Sequence, residues 1–207
     1  MTATTLDPAT ALVVIDLQNA LLSVPGSPHT VAEVVDRSAE LAEAFRRRGL
    51  PVVLVRVAFA ADGADATPGR SETGSRHTVR PEGYELIAEQ LAGHPEDVVV
   101  TKRSWGAFYG TDLDLQLRRR GVTQIVLTGV ATSAGVESTA RAAHEHGYHL
   151  TLVTDAMTDR DPDNHRHSVE KIFPRIGERG TTAEVLGLLA TTHPERTGTG
   201  RTGAGQS

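Results

Sequence analysis

The sequence predicts a three-layer α/β/α domain with a doubly wound, mostly parallel sheet of about six strands. Short, almost continuously apolar runs rich in β-branched residues recur along the chain. Segments with helical spacing of apolar residues separate these runs, and the connections are mostly short. Because strands that are apolar on both faces must be covered on both faces, the runs indicate a parallel sheet between two layers of helices.

Five strands and a shorter sixth element are predicted along the chain. The five runs are ALVVIDL (11–17), PVVLVRVAF (51–59), DVVVTK (97–102), QIVLTGV (124–130) and HLTLVTDA (149–156). The segment ERGTTAEVLGLLA (178–190) supplies a last short strand or turn and then a closing helix. Right-handed crossovers between these strands place helices on both faces of the sheet.

The helices are predicted from apolar spacing and from residues that suit helix ends. In the segment 30–49, Thr30 can cap the start, and Gly49 ends the helix after three arginines that suit the negative end of the helix dipole. The other predicted helices are GYELIAEQLAG (83–93), TDLDLQLRRRG (111–121), SAGVESTARAAHEHG (133–147) and NHRHSVEKIF (164–173).

Residues 1–190 are predicted to form a single domain. Within it, residues 60–81 form a long polar loop without periodicity, and such loops in compact domains are usually functional or mobile. The tail 191–207 is rich in Gly, Thr and Arg, and we predict that it is disordered.

Composition limits the classes of function. The chain has a formal net charge of −5 and no run of Lys or Arg, which argues against nucleic acid and anionic membrane as partners. It has no apolar stretch of membrane-spanning length and no signal peptide pattern. We therefore expect a cytoplasmic protein. The absence of cysteine excludes disulfides, thiolate metal sites and a cysteine nucleophile.

Polar residues follow three of the predicted strands. Asp16 and Gln18 follow the first, Lys102 ends the third, and GVATSAG (129–135) follows the fourth. Ligands of open α/β sheets bind beyond the carboxyl ends of the strands, so we expect these residues to meet in one cleft. Asp16 directly follows an unbroken apolar run and needs a partner if it is buried, and Lys102 is the cation at an equivalent position. Taken singly, Asp16 is equally consistent with a loop cap and Lys102 with a surface lysine.

The motifs VVIDLQN, TKRSWGAFYGTD, GVATSAGVESTARAA and GERGTTAEVL occur in this order and resemble those of the isochorismatase-like hydrolase superfamily. The resemblance covers nearly the whole chain, and it implies a Rossmann-like fold with Asp16 and Lys102 as catalytic residues. It also implies a cis peptide between Val130 and Ala131. In the branch that contains nicotinamidases and N-carbamoyl-amine hydrolases, a cysteine nucleophile falls on Gly135. This chain therefore lacks the thiolate through which that branch hydrolyses amides.

Isochorismatases resemble this chain in having glycine at that position. Their reaction cleaves a vinyl ether to pyruvate and a dihydrodiol by proton transfer and water addition, without a covalent intermediate. The resemblance assigns the acid to Asp16, which requires a pKa raised above the ordinary value. We expect Lys102 near the substrate's carboxylate or ether oxygen rather than in an exclusive pair with Asp16. The turn itself looks more like the cysteine branch, so a different small substrate stays an alternative.

Further residues are predicted to line the site. The candidate substrate contacts are Gln18, Trp105, Phe108, Tyr109, Ala131, Thr132, Ser133 and Gly135. Gln18 is equally consistent with loop stabilisation, and the three aromatic residues with contacts in an oligomer. Arg76 and His77 could reach a carboxylate, although surface positions are the favoured interpretation. The resemblance also implies a small-molecule substrate, no cofactor, and a homodimer or a larger homo-oligomer.

Two alternatives to the acid mechanism stay open. Ser133 lies in TSAG, half of a G-x-S-x-G nucleophile elbow, but Ala131 replaces the first glycine and no partner histidine is evident. The second alternative is a homologue that only binds a small molecule, with Asp16 and Lys102 as a binding pair. We predict no metal site, because the histidines of HEHGYH (144–149) suit a helix C-terminus.

Overall fold

The computed structural model describes residues 3–66, 72 and 80–195. Its strands are β1 (Thr10–Ile15), β2 (Val52–Val57), β3 (Val98–Lys102), β4 (Gln124–Val130), β5 (His149–Thr158) and β6 (Glu178–Gly180). They form one sheet in the order β3-β2-β1-β4-β5-β6, and all neighbouring strands are parallel. The predicted fold class is therefore confirmed, with the sixth strand at one edge.

Helices cover both faces of the sheet. They are α1 (Asn19–Leu22), α2 (Val31–Arg47), α3 (Leu113–Arg119), α4 (Glu137–Glu145), α5 (Pro162–His167) and α6 (Thr182–Thr192). Leu12 and Val14 of β1 belong to the core formed with α2 and α6, whereas Ala11, Val13 and Ile15 belong to the core formed with α3 and α4. Because successive side chains of a strand point to opposite faces, this two-sided burial explains the continuous apolar runs.

The two longest helices begin with reciprocal caps. Thr30 accepts a hydrogen bond from the backbone of Glu33, whose side chain accepts one from the Thr30 backbone, and Thr181 and Glu184 repeat the arrangement at α6. Such capping boxes satisfy backbone donors that a helix start leaves open. The predicted Thr30 cap is confirmed.

The prediction of a helix at 83–93 was wrong, because this segment forms turns that bind the chain after β1. Gly83 has a φ of +73°. The carbonyl of Tyr84 accepts from the backbone of Ala20 at 3.1 Å, and that of Leu86 accepts from Asn19 at 2.9 Å. These carbonyls thus accept hydrogen bonds from another segment of the chain rather than from residues one helical turn further on.

The other helical segments are more irregular than predicted. The segment 133–147 begins with a π-helical turn over Thr132–Val136 and continues as α4, and the segment 164–173 is α5 followed by a π-helical turn over Ser168–Ile172. The peptide bond between Val130 and Ala131 is cis, as the resemblance implied.

The C-terminal segment packs against α2 before the described residues end. The helix α6 continues to Thr192, and Arg48 donates from Nε to the carbonyl of His193 at 2.7 Å. Residues 196–207 of the predicted tail lie outside the described residues, as do Arg76 and His77. Within the described ranges, every helix is too short or too polar to cross a membrane.

Candidate active site

Asp16 and Lys102 meet at the carboxyl edge of the sheet. Asp16 follows β1 directly and has a φ of 55°, an uncommon conformation for a residue other than glycine. Lys102 is the last residue of β3, and β2 lies between the two strands. Even so, Lys102 Nζ lies 2.8 Å from Asp16 Oδ2. The structure thus brings together the two residues predicted to be catalytic.

Both partners of this ion pair are buried, and one oxygen of the pair is unused. Asp16 is 6% exposed and Lys102 is 2% exposed. Lys102 also donates to the carbonyl of Ser104 at 3.0 Å. Asp16 Oδ1 has no hydrogen-bond partner among the described residues. Since a buried oxygen without a partner is costly, it marks a place where a ligand or water can bind.

The environment of Asp16 favours its protonated form. Burial raises the pKa of Asp16 to about 6, against the opposing charge and hydrogen bond of Lys102. A group with this pKa can exchange a proton near neutral pH. The direction is the one that an acid role requires. The direct pairing with Lys102, however, differs from our expectation that Lys102 would lie with the substrate.

Gly135 lies beside this carboxyl group and places no side chain against it. A Cβ atom on Gly135 would lie 3.0 Å from Ile15 Cγ2, 3.1 Å from the carbonyl of Val130 and 3.2 Å from Asp16 Oδ2. A side chain at position 135 would therefore point at the carboxyl group of Asp16, in a space that fits even a methyl group tightly. Glycine keeps that space open.

An open hollow of about 1280 Å³, formed by the described residues, lies over the pair. Asp16, Lys102, Ala131 and Gly135 line it, together with the segments 56–63 and 80–85. Its place beyond the ends of β1, β2 and β3 is the usual ligand position of open α/β sheets.

The three predicted aromatic contacts lie in different surroundings. Trp105 lines the hollow and is 69% exposed. Phe108 is buried in the core, where its ring stacks on His146 at 5.0 Å between centroids. Tyr109 is 88% exposed and does not line the hollow. Only Trp105 is therefore placed to contact a substrate.

Gln18 holds two loops together. Its Nε2 donates to the carbonyls of Val57 at 3.0 Å and Tyr84 at 3.1 Å, and its Oε1 accepts from the Val57 backbone at 2.7 Å. The side chain is fully buried and does not line the hollow. This geometry favours loop stabilisation over substrate binding.

Thr132 and Ser133 anchor the turn that carries Gly135. The hydroxyl of Thr132 lies 2.9 Å from His165 Nδ1. The backbone and the hydroxyl of Ser133 both donate to Asp159 Oδ2 at 2.8 Å. Neither residue lines the hollow. We did not predict the roles of Asp159 and His165, which lie far along the chain from the turn.

Replacing Asp159 by Ala is expected to lower the free energy of unfolding by about 2–3 kcal/mol, because the Ser133 backbone and hydroxyl lose their buried acceptor. Urea unfolding measures the change. Asp163→Ala is the control, since Asp163 lies close by in the chain but is exposed, and its loss should cost less than about 1 kcal/mol. Equal effects of the two variants would contradict an anchoring role for Asp159.

Within the described ranges, no group of three or more His, Asp or Glu side chains is arranged so that it could hold a metal ion.

Comparison with known proteins identifies the family. Residues 10–184, which include all six strands, match the Isochorismatase domain. The chain is 47% identical over 180 residues to the uncharacterized isochorismatase family protein YecD of Escherichia coli O157:H7, a match that covers 87% of this chain and 96% of that protein. It is 31% identical over 212 residues to the ureidoacrylate amidohydrolase RutB of Methylobacterium radiotolerans, covering 88% of this chain and 82% of that protein.

A solved structure agrees with this assignment. An isochorismatase family protein from Burkholderia thailandensis superposes with a TM-score of 0.88 at 46% identity, covering 90% of this chain and 98% of that chain. On the family match and these relatives, the chain belongs to the isochorismatase family of hydrolases.

Proposed function

We propose that the protein hydrolyses a small molecule at the Asp16–Lys102 pair without a covalent intermediate, with Asp16 as the proton donor. One observation carries the proposal. Asp16 is a buried acid with a pKa raised to about 6, and its Oδ1 has no partner in the described part of the chain. Such a group, lining an open hollow, is suited to deliver a proton to a bound substrate.

The favoured reaction is hydrolysis of a vinyl ether, as in isochorismate or a related small acid. Asp16 gives its proton to the terminal enol carbon, and the electron pair of the double bond forms the new C–H bond. Water then adds to the oxocarbenium carbon, and the proton that it loses returns to Asp16. The hemiketal then collapses: its hydroxyl proton passes to the ether oxygen as the bond to that oxygen breaks, which leaves a keto acid and an alcohol. One water molecule is consumed, and the enzyme regains its starting state.

Lys102 and Gly135 have separate roles in this reaction. Lys102 holds Asp16 Oδ2 and offsets the negative charge that appears when Asp16 gives up its proton. Gly135 lines the hollow beside Asp16 without a side chain that would block the approach of the attacking water or the reacting carbon. Neither role requires a bond between enzyme and substrate.

The geometry supports this mechanism over a serine nucleophile. The hydroxyl of Ser133 donates to Asp159, a carboxylate on the anchoring side of the turn, and Ser133 does not line the hollow. A nucleophilic serine instead needs a base that accepts its proton at the site of attack. RutB, a more distant relative, is named an amidohydrolase. This chain contains no cysteine for thiolate chemistry.

Product analysis tests the proposal. The protein is incubated with isochorismate and, separately, with a panel of amides that includes ureidoacrylate, while pyruvate and ammonia are followed. We expect pyruvate without ammonia, and a rate that Ser133→Ala leaves within about twofold because Ser133 lies outside the hollow. If the wild type releases ammonia from an amide and Ser133→Ala does not, the serine alternative is established. If neither product forms while small ligands raise the melting temperature, the protein binds its ligand without hydrolysing it.

Gly135→Ala is expected to lower kcat by at least about tenfold and also to lower the melting temperature, because the new Cβ would lie only 3.0 Å from Ile15 Cγ2 and 3.1 Å from the carbonyl of Val130. The added methyl group would occupy the space beside Asp16 Oδ2, and the backbone there does not require glycine. Initial rates and the melting temperature measure the two effects. Gly187→Ala is the matched control, since a Cβ at Gly187 in α6 meets no atom within 4 Å. Full activity of Gly135→Ala would show that this space has no role in catalysis.

A further inference from the structure

We infer that Arg56 and Arg80 form a binding site for a carboxylate group of the substrate. Both residues line the hollow that contains Asp16. The inference rests on the proposed function for the position of the reacting bond. It adds the residues that bind the carboxylate of such a substrate and so select it.

Arg56 brings unused donors into the hollow. It lies near the end of β2, is half-buried, and donates from Nε to Thr101 Oγ1 at 3.1 Å. It forms no ion pair with any residue that the structure describes, and the described ranges contain every Asp and Glu of the chain. A guanidinium group has five N–H donors in a planar fork, so most of those of Arg56 are open to a ligand.

Arg80 is held by aromatic rings rather than by an acid. Its Cζ lies 4.6 Å from the ring centroid of Phe59 and 5.0 Å from that of Tyr84. The Tyr84 hydroxyl accepts from the Phe59 backbone at 2.8 Å, which fixes the two rings relative to each other. Among the described residues, Arg80 has no hydrogen bond and no ion pair. Contacts with ring faces position a guanidinium group while leaving its N–H edges free.

The other cations of the hollow already have carboxylate partners. Lys102 pairs with Asp16, and Arg103 pairs with Asp65. Three acids also line the hollow, and none of them is ion-paired with Arg56 or Arg80; Asp62 and Glu82 are exposed, and Glu85 is half-buried. Arg56 and Arg80 are therefore the cations of the hollow that have no carboxylate partner among the described residues.

Gln18 joins the segments that carry these arginines. It binds the backbone of Val57, next to Arg56, and the backbone of Tyr84, which supports Arg80. Gln18 also lies two residues after Asp16. One buried amide thus fixes the arginine-bearing segments and the acid relative to each other, so that a substrate held by its carboxylate can present its reacting bond to Asp16.

A substrate of this class has a carboxylate bound by the guanidinium groups and a second, hydrolysable group at Asp16. Arginine is suited to this task because its fork matches the two oxygens of a carboxylate. The Asp16–Lys102 pair combines opposite charges and so opposes the entry of an anion less than a lone carboxylate would. An uncharged analogue of the same shape should bind more weakly.

Binding of two matched probes tests the inference without any need for turnover. Benzoate and its uncharged analogue benzamide are titrated into the protein at low ionic strength, and heat is recorded. We compare the wild type with Arg56→Gln and Arg80→Gln, which remove the charge and keep most of the side chain. Arg119→Gln is the control, because Arg119 is exposed on α3 and does not line the hollow. Circular dichroism checks that every variant is folded.

We expect benzoate to bind the wild type more tightly than benzamide does. Arg56→Gln and Arg80→Gln should each raise the Kd of benzoate about tenfold, because each removes charge-assisted hydrogen bonds. The double variant Arg56→Gln/Arg80→Gln should raise this Kd roughly 100-fold. None of these variants should change the Kd of benzamide. Arg119→Gln should stay within about twofold of the wild type. Equal binding of the two probes, or equal weakening by Arg119→Gln, would overturn the inference.

These outcomes separate the inference from the proposed function. If isochorismate is not hydrolysed but benzoate binding still depends on Arg56 and Arg80, the carboxylate site holds and the proposed reaction fails. If isochorismate is hydrolysed and neither arginine changes the Kd of benzoate or the KM of isochorismate, the reaction holds and the carboxylate site fails.

Discussion

Asp16→Asn is expected to lower kcat/KM on the order of 1000-fold, because an amide cannot give a proton to carbon. The amide oxygen can still accept from Lys102, so the turn and the hollow should keep their shape. Initial rates of pyruvate formation measure the loss. Asp36→Asn is the matched control, since Asp36 is exposed on α2, and it should leave the rate unchanged. Activity above a tenth of the wild type would rule out Asp16 as the acid.

The same variant should remove a pH dependence of stability. The pKa of Asp16 is raised from 3.8 to about 6, so between these pH values the folded protein binds more protons than the unfolded chain. The free energy of unfolding therefore falls as pH rises through this window, by roughly 3 kcal/mol. Urea unfolding at several pH values, compared between wild type and Asp16→Asn, isolates this contribution. Parallel pH profiles would show that the pKa of Asp16 is not raised.

Lys102→Met is expected to be strongly destabilising at neutral and alkaline pH. It leaves a buried carboxylate without its cation, which typically costs about 3–5 kcal/mol. It also removes the charge and the hydrogen bond that hold down the pKa of Asp16, so this pKa rises further. Protonation then relieves the cost, and the variant should regain stability relative to the wild type as pH falls.

Urea unfolding at pH 8 and pH 5 measures this recovery. Lys171→Met is the matched control, because Lys171 is exposed and does not line the hollow that contains Asp16. The double variant Lys102→Met/Asp16→Asn should lose most of the pH dependence. A deficit of Lys102→Met that is the same at both pH values would show that the two residues are not coupled.

The strands and the acid–lysine pair could be predicted because their causes are local or topological. Residues 11–15 must be covered on both faces, and their unbroken apolarity shows this directly. Parallel strands bring their carboxyl ends to one edge, so Asp16 and Lys102 could be placed together without knowledge of the loops.

The errors came from contacts between distant segments. Residues 83–93 have helical spacing, but carbonyls of this segment accept hydrogen bonds from the backbone that follows β1. The local sequence gives no indication of such a distant donor. The anchoring of Ser133 by Asp159 likewise joins residues that share no pattern. Phe108 and Tyr109 are neighbours in sequence, and only the path of the loop decides which of them is buried.

The ion pair reaches over an intervening strand. Lys102 stands on the far side of β2 from Asp16, so the two charges approach to 2.8 Å only when three strands are side by side and in register. Partial unfolding that frees either outer strand of this trio must separate Asp16 from Lys102. The ion pair thus forms only in the cooperatively assembled sheet, and a partly folded species that lacks the pairing of β2 and β3 would lack it.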